Sequence, residues 1–320
     1  MRIAIALIAL AGCTPERECG EGCMDDAAWS GSGTTSDGRS ELADYSCGGA
    51  LGGREVAKRI AVSRRGFVAA EVDEASGAEV RLLRDLRASA CIDGAGRRAG
   101  ALVEPGAYYV VVDSESGREG PFQLKIGFTD RDDLVGHGIA EEVAEDSLDV
   151  LGAGWRRDTT RFEYVIADFS LHSSVKREWI VDLVDETLLW NVHVAHGRGF
   201  NEPFMNTGLP PAFSNTPDTH LSSYGVMKSA EAYVGMYGSS YRIDGLEPDI
   251  NSNVRVRDIV MHPWEGSRPE FIAMKGETQP TWGCPAIDDR IAPMIADATS
   301  GGVLMFFWHS EWRKRTQFLD

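Results

Sequence analysis

The chain lacks any early apolar run long enough to cross a bilayer: Ile3 to Ala11 falls well short of the roughly 20 residues a spanning helix needs. That run follows Arg2 and reads as a short export signal. Basic charge is scarce. Lys and Arg total 32 against 49 Asp and Glu, a net charge of −17 with no basic cluster, which argues against nucleic acid as a partner. Such an acidic balance is otherwise that of an ordinary soluble surface. No His-Glu-x-x-His or His-x-His cluster occurs, so a zinc peptidase is not indicated, and no metal or other cofactor is expected. No internal repeat of solenoid period is present either.

Cysteine is sparse as well, with six in 320 residues. Leu10-Ala11-Gly12-Cys13 resembles a bacterial lipobox, in which the cysteine is lipidated and becomes the mature N-terminus. This predicts an envelope lipoprotein facing the periplasm, with outer-membrane sorting favoured by Thr14 after the cysteine. In an oxidising compartment Cys19, Cys23, Cys47 and Cys91 then read as two disulfides. Three connectivities are open; Cys47 with Cys91 and Cys19 with Cys23 is the preferred one, and a zinc site is disfavoured by the wide separation of Cys47 from Cys91. Cys284 stays free.

Glu16 to Asp44 is rich in Gly, Ser, Thr and Asp and predicts a flexible tether. Short β-type runs follow at Val56–Val62, Phe67–Val72, Glu79–Leu83, Tyr108–Val112 and Phe122–Phe128, separated by turns such as Glu104-Pro105-Gly106. They predict an antiparallel sandwich. Asp130 to Gly154 is acidic, with Ile139, Val143 and Leu148 at inward helical positions. Beyond it, Trp179–Val184 and Leu188–Ala195 predict a hairpin, and Asp258–His262 and Val303–Trp308 predict buried strands. The expected organisation is a signal at 1–12, a tether at 13–44, a sandwich at 45–129, a linker or packing helix at 130–158, and a second, mainly β domain with short helices at 159–320.

Chemistry concentrates in Thr281-Trp282-Gly283-Cys284-Pro285-Ala286, preceded by Arg257-Asp258-Ile259-Val260-Met261-His262. A cysteine and an upstream histidine are a candidate nucleophile and base. A thiol needs an imidazole or a helix N-terminus to hold it as thiolate at neutral pH. Ile287, Ile291 and Ile295 recur at helical spacing, which predicts a helix starting between Asp288 and Pro293 and Cys284 near its positive end. The pair is therefore expected to titrate as a unit, with thiolate present well below the reference pKa of about 8.5. Gly283 allows a tight turn, and the amides of Gly283 and Cys284 are candidate oxyanion donors.

Together with Ala195-His196-Gly197, Phe213-Ser214-Asn215, Ser222-Ser223-Tyr224-Gly225 and Gly245-Leu246-Glu247, these motifs resemble, in the same order, those of YkuD-type murein L,D-transpeptidases. The likeness spans about half the chain, Phe162 to Trp308, and is nearest the branch reading Gly-Cys-Pro-Ala. The sandwich more weakly resembles prepeptidase C-terminal domains, for which wall or carbohydrate binding stands against a spacer role.

The resemblance implies a bent sheet with short helices. It also implies attack on the bond between diaminopimelate and terminal D-Ala in peptidoglycan tetrapeptide stems, through a thioester resolved by an amine or by water. Cys284 falls on the nucleophile, His262 on the base, and Gly283 and Cys284 on the oxyanion amides. His196, Ser222, Ser223, Tyr224 and Trp282 fall near the cleft as substrate-binding candidates. The partners implied are stem peptides, the membrane through the lipid, and a wall-attached protein as acyl acceptor. Pro263, Trp282 and Ala286 depart from the common pattern; the last two agree with the Gly-Cys-Pro-Ala branch and bear on substrate choice, and Pro263 is expected to narrow the approach to the site. Competing readings are an L,D-carboxypeptidase and a non-catalytic wall-binding lipoprotein.

Overall fold

A computed structural model of the chain describes residues 29–200 and 208–320. The expected lipid site Cys13, the Cys19 and Cys23 pair, and the first part of the tether lie outside the described residues. Two compact units divide the chain: Met1–Leu134 with Leu183–Glu186, and Val135–Asp182 with Thr187–Asp320. Among the described residues no helix is long and apolar enough to cross a membrane.

The first unit is a pair of four-stranded antiparallel sheets. Its strands are β1 (Trp29–Thr34), β2 (Val56–Val62), β3 (Gly66–Val72), β4 (Glu79–Leu83), β5 (Cys91–Gly94), β6 (Arg98–Val103), β7 (Gly106–Asp113) and β8 (Pro121–Asp130). The orders are β1-β8-β3-β6 and β2-β7-β4-β5. Alternation along the strands aims Val68, Val80, Leu82, Val110, Leu124 and Ile126 into one core. Each such side chain contributes about 1.5–3 kcal/mol on full burial. A Cys47–Cys91 disulfide fastens the segment before β2 to the start of β5.

One expectation fails here. Residues 13–44 are not flexible throughout, because Trp29–Thr34 pairs antiparallel with β8, Trp29 opposite Ile126 and Thr34 opposite Pro121. Main-chain hydrogen bonding needs no apolar side chain, and aromatic rings cover what the glycines leave bare. A Cβ on Gly31 would lie 2.6 Å from the Trp29 ring, and one on Gly33 2.6 Å from the Phe122 ring. Lys58 Nζ caps the same Trp29 ring at 3.7 Å.

In the second unit, α1 (Arg131–Gly136), which crosses the division, leads to α2 (Glu141–Gly154). Val143, Leu148 and Leu151 are buried on α2, and Asp146 accepts from Trp308 Nε1 at 2.8 Å. The strands are β9 (Glu163–Asp168), β10 (Glu178–Asp182), β11 (Thr187–Val192), β12 (Gly225–Gly235), β13 (Gly238–Gly245), β14 (Val260–Trp264), β15 (Ala286–Asp288) and β16 (Leu304–Trp308), with helices α3 (Pro269–Lys275) and α4 (Ala292–Thr299). They form one eight-stranded sheet in the order β11-β10-β9-β16-β12-β13-β14-β15. The molecule is thus mainly β with a few short helices. Two pairings are parallel, β16 with β9 and β14 with β15. The second sets His262 opposite Ala286.

The expected helix is present, with α4 starting inside the Asp288–Pro293 window, but the pairing corrects the placement of Cys284 near its positive end. Pro285 is followed by a strand, and α4 begins only at Ala292. Ile287 is buried as a strand residue and Ile295 as a helix residue, so a run of isoleucines at helical spacing spans two elements. Cys284 therefore receives no support from a helix N-terminus.

Candidate active site

Cys284 and His262 line one cavity of about 840 Å³ in the second unit. His262 sits mid-strand on β14 and is buried, with Nδ1 2.8 Å from the Pro263 carbonyl oxygen. A carbonyl only accepts, so Nδ1 carries the proton and Nε2 the lone pair. The ring stacks on Tyr237 at 4.6 Å and meets Trp264 edge-on at 5.7 Å. Burial holds its pKa below 6.5, against the opposite pull of the Pro263 carbonyl. The imidazole is therefore neutral, and a base, at neutral pH.

The Cys284 thiol is free and points its proton at the Asp258 carbonyl, 3.6 Å away. Burial pushes the thiol up to about 11, with Asp258 adding to the rise, while the Val260 N–H and the Arg257 charge favour the thiolate. This differs from the depressed thiol the sequence suggested. Desolvation outweighs the two groups that favour the thiolate, and α4 begins eight residues after Cys284, so the resting site holds a neutral thiol and a neutral imidazole, with no hydrogen bond between them among the described residues.

The loop carrying Cys284 is fixed at both ends. Thr281 N–H donates to His196 O at 2.9 Å, Arg198 N–H to Thr281 O at 3.0 Å, and Ala195 N–H to Ala286 O at 2.8 Å. Thr281 Oγ1 accepts from Gly283 N–H at 3.2 Å and donates to Cys284 O at 2.7 Å. The Gly283 amide is thereby occupied and does not serve as an oxyanion donor. The Cys284 amide has no partner among the described residues and remains the candidate.

Gly283 is needed for its backbone. Its φ is +117°, and a Cβ there would lie 2.8 Å from Leu221 O. Gly283→Ala is expected to destabilise the protein by about 1–3 kcal/mol; thermal unfolding checks this, and an unchanged melting temperature would count against the constraint.

The other candidates separate into wall and scaffold. Trp282 lines the cavity, 66% exposed, stacked on His220 at 4.5 Å. His196, Ser222, Ser223 and Tyr224 are buried and do not line it, which corrects their assignment to substrate contact. Arg177 Nη2 donates to His196 Nδ1 at 2.8 Å. Ser222 Oγ accepts from Gly197 N–H at 2.9 Å and donates to Gly283 O at 3.3 Å, tying the loop down from behind. Ser223 accepts from Arg257 at 2.8 Å, and Arg257 also donates to Thr219 Oγ1 and Leu221 O. These short polar side chains satisfy main-chain groups that the irregular segment leaves unpaired.

The motifs did not disclose Tyr237, Trp264, His220, Asp218 or Asp258 as cavity residues. One signal is local: Asp218, His220 and Asp258 all adopt positive φ, at 61°, 54° and 51°. Non-glycine residues rarely sit there, and Asp and His are among those that do. Among the described residues no group of three or more His, Cys, Asp or Glu side chains is placed to hold a metal.

Residues 137–308 match the model of the YkuD-type L,D-transpeptidase catalytic domain, more than half of the chain. The chain belongs to this family. No curated protein matches it significantly. Among solved structures it is similar to an L,D-transpeptidase from Mycobacterium smegmatis, at 11% identity and TM-score 0.29, over 46% of this chain and 59% of that one. An L,D-transpeptidase from Stackebrandtia nassauensis follows at 8% and 0.29, over 52% and 67%. The pre-peptidase C-terminal domain of a collagenase from Bacillus anthracis matches at 16% and 0.22, over 31% and 89%. Likenesses this distant carry no argument, and membership rests on the L,D-transpeptidase catalytic domain model.

Proposed function

We propose that the chain is a cysteine-dependent L,D-transpeptidase acting on peptidoglycan tetrapeptide stems. The observation that supports this most directly is a free thiol and a buried histidine of defined tautomer lining one cavity within the family's catalytic domain. In the proposed reaction His262 Nε2 takes the Cys284 proton as Sγ attacks the carbonyl at the L-centre of diaminopimelate. The Cys284 N–H stabilises the oxyanion. Collapse breaks the C–N bond, His262 returns its proton to the leaving amine, and D-Ala departs, leaving a thioester. An incoming amine makes a cross-link or attaches a wall protein; water gives the trimmed stem of a carboxypeptidase.

Lipidation at Cys13 would hold the enzyme in the cell envelope with its catalytic domain facing the wall, most simply at the outer membrane. Incubating the protein with purified tetrapeptide muropeptides and following products by mass spectrometry tests the reading. Release of D-Ala with a dimer marks a transpeptidase, and release with a tripeptide a carboxypeptidase. If D-Ala is not released at all, the proposal fails.

A further inference from the structure

We propose that the end of the cavity formed by Lys275, Glu277 and Thr278 is a subsite for a free α-ammonium carboxylate, the zwitterionic D-centre of the same diaminopimelate residue whose L-centre is attacked. The assignment rests on the function proposed above. The chemistry of that substrate demands such a place. The reacting residue carries its ammonium and carboxylate at the end of a three-methylene side chain, so both charges must enter the cavity together with the scissile carbonyl. Leaving them there without partners is costly.

Three observations meet at this end of the cavity. Lys275, in the last turn of α3, is exposed and lines the cavity, and it has no partner among the described residues. Glu277 also lines it; burial raises its pKa, while the Gly208 N–H and the His172 charge only partly offset that rise, so its carboxylate gains from an added cation. Thr278, the third wall residue, is fully buried, and its Oγ1 has no hydrogen-bond partner although its own N–H is bonded to Ser173 Oγ at 3.1 Å. Native structures rarely tolerate an orphaned buried hydroxyl, and a ligand is one thing that completes it.

The signs fit in one way: carboxylate on Lys275, ammonium on Glu277, and the hydroxyl bridging to either. The segment carrying the subsite is also tied to a residue that contacts the base. The segment continues to Gln279, whose N–H donates to Gly266 O at 2.9 Å and whose carbonyl accepts from Trp264 Nε1 at 3.0 Å. Trp264 is the ring that abuts His262.

The test compares D-Ala release from three tetrapeptides, carrying diaminopimelate, its D-centre carboxamide, or lysine, which keeps the ammonium and lacks the carboxylate. Wild type is expected to prefer free diaminopimelate by about tenfold in kcat/KM, the scale of a charge-assisted hydrogen bond. In Lys275→Met that preference collapses to about one. Glu277→Gln raises KM for all three peptides, each of which carries a free ammonium, and leaves kcat unchanged. Thr278→Val separates binding from structure, because removing an orphaned hydroxyl raises Tm or leaves it unchanged, while KM rises.

Equal use of the three peptides by wild type, or a uniform loss on all of them in Lys275→Met, overturns the subsite and leaves the proposed function standing. Absence of D-Ala release from every peptide overturns the function instead. In that event calorimetric binding of the same peptides to Cys284→Ser decides the subsite alone: tighter binding of the free zwitterion supports it, and equal binding removes it.

Discussion

Cys284→Ala is expected to cut D-Ala release from tetrapeptide stems by about 10⁴-fold or more, the scale on which losing a covalent nucleophile acts. The loss is chemical, because the thiol donates only to the Asp258 carbonyl and its removal leaves the loop's main-chain bonds to His196, Arg198 and Ala195 in place. The variant should keep the wild-type circular dichroism and melting temperature while forming no acyl-enzyme by intact-protein mass spectrometry. Turnover retained in a folded variant would remove Cys284 from the reaction.

The second large effect belongs to the proposed base. His262→Ala should lower kcat/KM by about 10² to 10⁴, and the pH profile identifies the cause. A histidine whose pKa is held down by burial loses its base function only below pH 6.5, so the acid limb of wild-type kcat/KM should fall there and vanish in His262→Ala. The thiol runs the other way. With its pKa pushed up to about 11, alkylation of Cys284 by iodoacetamide should keep rising beyond pH 8.5 instead of levelling near neutrality. A plateau below pH 8 would mean that the resting enzyme holds a thiolate, and that the proton moves before substrate binds and not during attack.

Those profiles bear on what was readable in the residues. That Cys284 and His262 meet at one cavity was legible because a candidate nucleophile and base require particular residue types in particular surroundings. How that pair ionises was not, since it depends on burial supplied by Tyr237 and Trp264 and on the Asp258 carbonyl. The strands of both units were legible where β-branched residues recur, as in Val56–Val62, or where a short apolar run is continuous, as in Leu304–Trp308. β1 was not, because its glycines and serines carry no side-chain pattern and its pairing is main-chain. The start of α4 was legible in the spacing of Ile291 and Ile295, but β15 was not, because Ile287 continues the same period from a strand. Ser222, Ser223 and His196 were found as unusual polar residues, but the motif did not say whether they face substrate or the back of the loop.

The double fastening of that loop has a bearing on how the site can change. With Thr281 bonded to the 195–198 segment, and Ala286 both bonded to Ala195 and drawn beside His262 by a parallel strand, the main chain around Cys284 is held without help from the side chain of Trp282. Trp282 is thus a position where new residues can alter the mouth of the cavity while nucleophile and base keep their alignment. A library randomised at Trp282 would explore peptide preference at little cost in folding, whereas the same library at Gly283 would return almost only glycine.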